Sequence, residues 1–158
     1  MFVVLSDPAI YEFEGVPPPS VEKLAGGYQR KETRTSPDGR EKWLNWVVRL
    51  PNDELAGYVQ ATVLASGAAL LGYEFASRHW RHGIGSTSIK AMLEELVQTY
   101  SVHTFVAVLK VANYRSMGLL RNLGFAPGTA EDAKTYEAET DETVLLKTAT
   151  TFVAINLQ

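Results

Sequence analysis

The chain has 158 residues, 46% hydrophobic and 21% charged, with a formal net charge of -3. That length suits one domain with a real core, and the charge gives no electrostatic reason to expect nucleic acid or an anionic membrane as partner. There is no cysteine, so disulfides, thiolate metal sites and a cysteine nucleophile are excluded. Met1-Phe2-Val3-Val4-Leu5 is too short for a signal core and meets Asp7-Pro8 at once, and no apolar run approaches membrane-spanning length. The expected location is the cytoplasm.

Residues 1–20 read as irregular and end in the stiff stretch Gly15-Val16-Pro17-Pro18-Pro19-Ser20. Ser20 caps a helix expected to reach about Thr33, with Val21, Leu24, Ala25 and Tyr28 on one face. Gly26-Gly27 weakens that helix and marks a point where a break is expected. After the turn Ser36-Pro37-Asp38-Gly39, residues 43–50 form an aromatic and β-branched strand closed by Pro51-Asn52-Asp53. Residues 55–65 alternate, with Val59, Ala61 and Val63 facing away from Tyr58, Gln60 and Thr62. Ser66-Gly67 turns the chain into a third strand, 68–76. Leu71, Tyr73 and Phe75 take one face of it; Leu70, Gly72, Glu74 and Ala76 take the other. Three successive strands with short turns predict an antiparallel meander.

The period then changes. From Ser86 to Tyr100, Ile89, Met92, Leu93, Leu96, Val97 and Tyr100 make a helical stripe. Residues 105–111 form a short apolar strand, and 113–123 a helix stopped by Gly124. A strand–helix–strand order requires a right-handed crossover, so the strands at 68–76 and 104–111 are expected to be parallel. A final hairpin is predicted from Lys134–Ala138 and Thr143–Ala149, turned at Thr140-Asp141-Glu142. The apolar tail 151–158 adds either a strand or a contact. The expected fold class is α+β in a single domain.

Arg81-His82-Gly83-Ile84-Gly85-Ser86 lies between the third strand and the long helix. Glycines let a backbone turn its N–H groups toward an anion, and first-turn helix amides lack internal partners and carry the positive end of the macrodipole. Arg78, His79, Arg81 and His82 add basic side chains. The loop therefore reads as a pyrophosphate cradle. A dinucleotide fingerprint does not fit, because Ser88 stands at the third glycine position and Phe105 where an acidic residue would hold a ribose. No Walker A loop occurs.

Asn113-Tyr114-Arg115-Ser116-Met117-Gly118-Leu119-Leu120-Arg121-Asn122-Leu123-Gly124-Phe125 follows the parallel strand. This N-x-x-S-x-x-L-x-x-x-x-G-F pattern resembles the second signature of the GNAT superfamily of N-acetyltransferases, and the loop at 81–86 resembles that superfamily's acetyl-CoA signature. Gly72-Tyr73-Glu74-Phe75, the run His79 to Gly85, Asp7-Pro8-Ala9-Ile10-Tyr11 and Pro17-Pro18-Pro19-Ser20 resemble the branch of ribosomal-protein N-terminal acetyltransferases. The resemblance covers nearly the whole chain. It implies a mixed, mostly antiparallel sheet with helices on both faces and one splayed parallel pair holding CoA. The family usually begins with a strand that this sequence lacks, so a truncated start or a different sheet edge is expected. Trp80 stands where many members have Gln or Arg, and Leu120 where many have the tyrosine that protonates the departing thiolate.

The implied chemistry is acetyl transfer from a thioester to an amine, which must lose a proton to react. Glu74 is the candidate base, partly desolvated on its strand face; its bland alternative is a carboxylate paired with a nearby arginine or facing solvent. The resemblance implies a backbone donor near Phe75 or Ala76 for the oxyanion, and backbone bonds from Phe75 and Ser77 to the pantetheine arm. Asn113 caps the following helix and, by resemblance, also bonds that arm. Ser116 is a candidate acid for the thiolate or else a first-turn serine bonding a backbone carbonyl; Tyr114 and Tyr136 are alternative acids. Arg81, His82, Gly83, Ile84, Gly85 and Ser86 are assigned to the phosphates. His79, His82 and His103 form no metal-ligand pattern, so no metal is assigned. Trp43, Trp46, Tyr11 and Tyr28 read as core residues; the resemblance to the branch implies that the helix at 20–33 and the proline loop cover the acceptor.

The leading reading is an acetyl-CoA-dependent N-acetyltransferase acting on a small-molecule amine or a protein N-terminus, with a homodimer left open. Its alternative is a CoA-binding regulatory module without catalysis, favoured by Leu120 and the missing strand and opposed by Glu74, Asn113 and the intact glycine pair. A third reading takes a donor longer than acetyl, decided by pocket depth beside Phe75, Ala107 and Leu119.

Overall fold

Alternation of apolar and polar residues builds the first half of the sheet. In the computed structural model, which describes residues 1–18 and 20–149, β1 (Lys42–Arg49), β2 (Leu55–Val63) and β3 (Ala68–Phe75) form the expected antiparallel meander. Along β2, Val59, Ala61 and Val63 are buried while Tyr58, Gln60 and Thr62 are only half-buried. Gly57 allows the close approach of β2 to β3. A Cβ there would lie 2.1 Å from the Glu74 carbonyl oxygen.

The chain then crosses over through α3 (Ile84–Tyr100) to β4 (Thr104–Lys110). β3 and β4 are parallel, as expected, but pair only at Ala68–Leu70 against Thr104–Val106. Beyond those three pairs each strand keeps its outer neighbour. β3 stays on β2 to Phe75, and β4 pairs with β6 (Glu142–Thr148) along its whole length. A gap therefore opens between Leu71–Phe75 and Ala107–Lys110. The backbone groups lining it need a partner from elsewhere. The sheet order is β1-β2-β3-β4-β6-β5, with β5 spanning Ala126–Pro127.

Helices cover both faces. The stripe Ile89, Met92, Leu93 and Leu96 of α3 and Leu120 of α4 (Tyr114–Asn122) pack with Phe75, Phe105, Ala107 and Leu145 into the main core. Lys147 reaches back to α4, its Nζ donating to the Leu123 carbonyl at 2.6 Å. The opposite face carries α1 (Phe2–Leu5), α2 (Val21–Lys31) and α5 (Ala130–Thr135). There Val4 and Leu5 pack on Ala76, and Ala133 and Tyr136 pack on Val106 and Val144. Among the described residues no helix is long and apolar enough to cross a membrane.

The sequence reading needs three corrections. Residues 1–20 are not irregular throughout. α1 and a 3-10 segment at Pro8–Tyr11, capped by Asp7, organise them. Gly26-Gly27 does not interrupt α2, which Ser20 caps by accepting from the Lys23 amide. The predicted C-terminal hairpin is wrong. Thr129 and Asp132 form a reciprocal capping box that starts a helix, and β6 takes its partners from distant β4 and β5 instead of from 134–138. The tail at 151–158 lies outside the described residues.

Candidate active site

The loop after β3 leaves the start of α3 open. Arg81 and Gly83 both lie in the left-handed region, at φ 63° and 78°. Only glycine adopts that freely. Gly83 is the N-cap of α3 and supplies no side-chain cap, so no side chain answers the first-turn amides. A Cβ built on Gly83 would meet nothing within 4 Å, and Arg81, His82 and Gly83 are exposed. Open space, uncapped amides and two basic side chains thus coincide at the positive end of a 17-residue helix. Arg78 and His79 point away from this opening. Both turn to Glu54, at 2.9 and 3.1 Å.

Behind the loop, Gly85 lies against Leu119 and Phe75; a Cβ there would stand 3.4 and 3.6 Å from them. Phe75 thus forms the floor between the loop and the gap. The Ala76 N–H donates to the Ala56 carbonyl at 2.9 Å, so it is spent on β2. Strand alternation turns the Phe75 N–H to the other edge, toward the gap. The Phe75 carbonyl accepts from the Trp80 indole at 2.8 Å. The Ser77 N–H donates to the Asp7 carboxylate at 2.7 Å and is spent as well. Of the backbone donors named at 75–77, Phe75 alone is aimed at the gap.

At the far side of the gap, Asn113 caps α4, its Oδ1 accepting from the Ser116 N–H at 3.1 Å. The Ser116 hydroxyl lies near enough to the Tyr73 phenol to ease its pKa downward. Arg115 stacks on Trp80, Tyr114 and Phe13, 4.7, 5.1 and 5.4 Å from the ring centroids, and pairs with Glu12. It locks the cradle loop, α4 and the N-terminal segment together.

Glu74 is on the opposite face. Burial raises its carboxyl above the ordinary value, and Tyr58, Lys31 and Tyr11 pull it partway back. Tyr58 stands directly across from it on β2. Tyr11 bonds the Leu5 carbonyl at 2.9 Å. Burial first, and the Glu74 charge second, push Tyr11 up to about 12 and raise Tyr28 and Tyr58 too. Lys31 bonds Gln60 at 3.2 Å. Next to this cluster a cleft of about 200 Å³ is lined by Pro18, Lys23, Leu24, Gly27, Tyr28 and Lys31.

The sequence reading took Tyr11 and Tyr28 as core, whereas the fold gathers them with Tyr58 around Glu74. Tyr114 is exposed and stacked under Arg115, and Tyr136 packs among Val106 and Val144. Neither faces the gap. Leu120, at 1% exposure, is sealed in the core. Sequence reasoning passed over Asp7, Arg115 and Tyr73. An Asp before a proline signals a cap, but its bond to Ser77, 70 residues away, has no local signature. Among the described residues no group of three or more His, Asp or Glu side chains could hold a metal.

The family model for the acetyltransferase (GNAT) domain matches residues 1–126. No curated protein sequence matches the chain. Solved structures share the fold at low identity. Spermidine N-acetyltransferase from Vibrio cholerae, in complex with CoA and spermine, is 16% identical with a TM-score of 0.73, covering 96% of this chain and 89% of that one. Aminoglycoside acetyltransferase AAC(6')-Ib in complex with coenzyme A is 16% identical with a TM-score of 0.73, covering 97% and 90%. Mycobacterium smegmatis RimJ in complex with CoA-disulfide is 20% identical with a TM-score of 0.67, covering 84% and 64%. With a family model matched over most of its length and an uncapped helix beside a splayed strand pair, the chain belongs to the GNAT family of acetyltransferases.

Proposed function

We propose that this acetyl-CoA-dependent N-acetyltransferase moves an acetyl group onto a primary amine that enters beside Glu74. One observation carries the reading. The β3–β4 gap has an uncapped, basic helix N-terminus at one end, and β3 carries a half-buried carboxylate, Glu74, on its opposite face.

The α3 amides at Ile84, Gly85 and Ser86, with Arg81 and His82, hold the pyrophosphate. Asn113 and the Phe75 amide hold the pantetheine arm, and the Phe75 amide stands near the thioester carbonyl. Ser77 contributes no amide, since Asp7 occupies it. Glu74 accepts the ammonium proton, directly or through water, and its raised pKa brings it nearer to working pH. Ser116 faces the leaving sulfur. When bound, acetyl-CoA supplies the activated acyl group.

Tyr11, Tyr28 and Tyr58 wall the acceptor side. Lys23 and Lys31 in the adjoining cleft disfavour a polyamine and favour an acceptor with a single ammonium group, whether a small amine or a protein N-terminus. The test is thermal melting with acetyl-CoA against NAD, followed by thiol release with a panel of amines that includes spermidine and N-terminal peptides. A ligand that binds only the folded state raises the midpoint. A rise with acetyl-CoA alone and release with a mono-amine are expected. A rise with NAD, or none with acetyl-CoA, overturns the cradle. Release with spermidine alone overturns the acceptor class. A rise without release from any amine returns the CoA-binding module to first place.

A further inference from the structure

Tyr73 lies on β3 between Glu74 and Gly72, with its side chain on the α3–α4 face. Its hydroxyl oxygen is buried and has no hydrogen-bond partner. Its ring packs beside Phe75, 6.2 Å between centroids, and Phe75 in turn floors the cradle at Gly85. Tyr73 also lies in the stretch Leu71–Phe75 where β3 has left β4. The polar side chain acting on its hydroxyl is Ser116, three residues after the α4 cap Asn113. A phenylalanine would fill this site without burying an unsatisfied polar group, which native interiors rarely tolerate. Ser116 stands near without bonding it, so a bound molecule can supply the partner this hydroxyl lacks.

We propose that the Tyr73 hydroxyl donates a hydrogen bond to the thioester sulfur as it departs, taking the place left by Leu120. The inference rests on the acetyltransferase reading of the same site. In the step, the amine nitrogen bonds the carbonyl carbon, the carbon–sulfur bond breaks and sulfur keeps the bonding pair. The ammonium gives one proton to Glu74 before the attack, and the nitrogen loses a second to water as the carbon–sulfur bond breaks. Tyr73 keeps its own proton, because burial pushes its phenol up to about 12 with Ser116 easing it partway back. The released thiolate takes its proton from water. Tyr73 thus stabilises charge, as oxyanion donors do, and is not an acid that gives its proton away.

The test is Tyr73→Phe, read by melting and by the binding of CoA and of desulfo-CoA, which lacks the thiol, between about pH 6 and 10, across a thiol's ionisation. Without ligand, the variant's midpoint is expected to hold or rise, because a buried unpaired hydroxyl is gone. The wild type gains CoA affinity as the thiol ionises, and the variant gains less. Desulfo-CoA binds both alike at every pH. Turnover with the amine that releases thiol falls about 100-fold, at an unchanged KM for acetyl-CoA. Equal losses for CoA and desulfo-CoA assign Tyr73 a pocket-shaping role and overturn the proposal. So do matching pH profiles in the two proteins, or a variant that fails to fold, since the hydroxyl then has a structural partner. A wild type that binds neither ligand sinks the acetyltransferase reading itself, whereas a wild type that binds both without a thiol-dependent rise sinks only this inference.

Discussion

The two faces of the sheet are built on different principles. On one, α3 buries four apolar residues against Phe75, Phe105 and Ala107, and the core is continuous. On the other, α2 buries no residue fully, and the layer between helix and sheet contains Glu74, Tyr11, Tyr28, Tyr58, Lys31 and Gln60. The first face is set rigidly by apolar burial and offers backbone amides, which are independent of side chain. The second is held by a few polar contacts, so its chemistry can change with single substitutions. A family that keeps one donor and varies its acceptor is well served by this division.

The sharpest way to break the contrast is Gly83→Asp. A carboxylate about 4 Å from a phosphate at an effective dielectric near 20 costs about 4 kcal/mol, or roughly 1000-fold in affinity. The acetyl-CoA melting shift is expected to vanish while the protein still melts cooperatively. A retained shift would move the anion site away from α3. Next in size is Glu74→Gln, on the other face. Turnover is expected to drop by about 100-fold or more with acetyl-CoA affinity unchanged. A base must be ionised, so wild-type activity rises with pH through the raised Glu74 pKa, and the variant loses that limb. Full activity in the variant at low pH removes Glu74 as base.

Asp7 joins the two halves, since its carboxylate holds both the Ala9 and Ser77 amides. Asp7→Asn is expected to cost about 1–2 kcal/mol, seen as a lower denaturant midpoint. Although burial raises this carboxyl, the bonds from Ser77 and Ala9 bring it below the ordinary 3.8. Its stabilisation is therefore complete above the unfolded value and is lost as pH falls through the lower folded one. Equal acid sensitivity in wild type and variant would dismiss the link. The smallest effect has the opposite sign. A Cβ on Gly26 would meet nothing within 4 Å inside α2, so Gly26→Ala is expected to raise stability by about 0.5–1 kcal/mol. A loss instead would show that α2 does not accommodate a side chain at this position.

The donor side was legible before folding because each of its parts is local. The Gly83–Gly85 turn, the apolar stripe of α3, the Asn113 cap and the Gly124 stop all act within one or two turns of chain, and the structure places each where its spacing implied. The period-2 meander is legible for the same reason. The C-terminal hairpin failed because a short alternating run competes with a four-residue capping box, and in the fold the box sets a helix there.

The sequence by itself therefore determined the family, the strand–loop–helix unit around Gly83 and the face of β3 on which Glu74 stands, because periodicity and capping are short-range properties of the chain. Only the tertiary structure decided which amide faces the gap, that Asp7 occupies Ser77, that three tyrosines from separate elements meet Glu74, and that the Tyr73 hydroxyl is left without a partner. Each of these depends on contacts between residues far apart in the chain, and such contacts exist only once burial has brought their elements together.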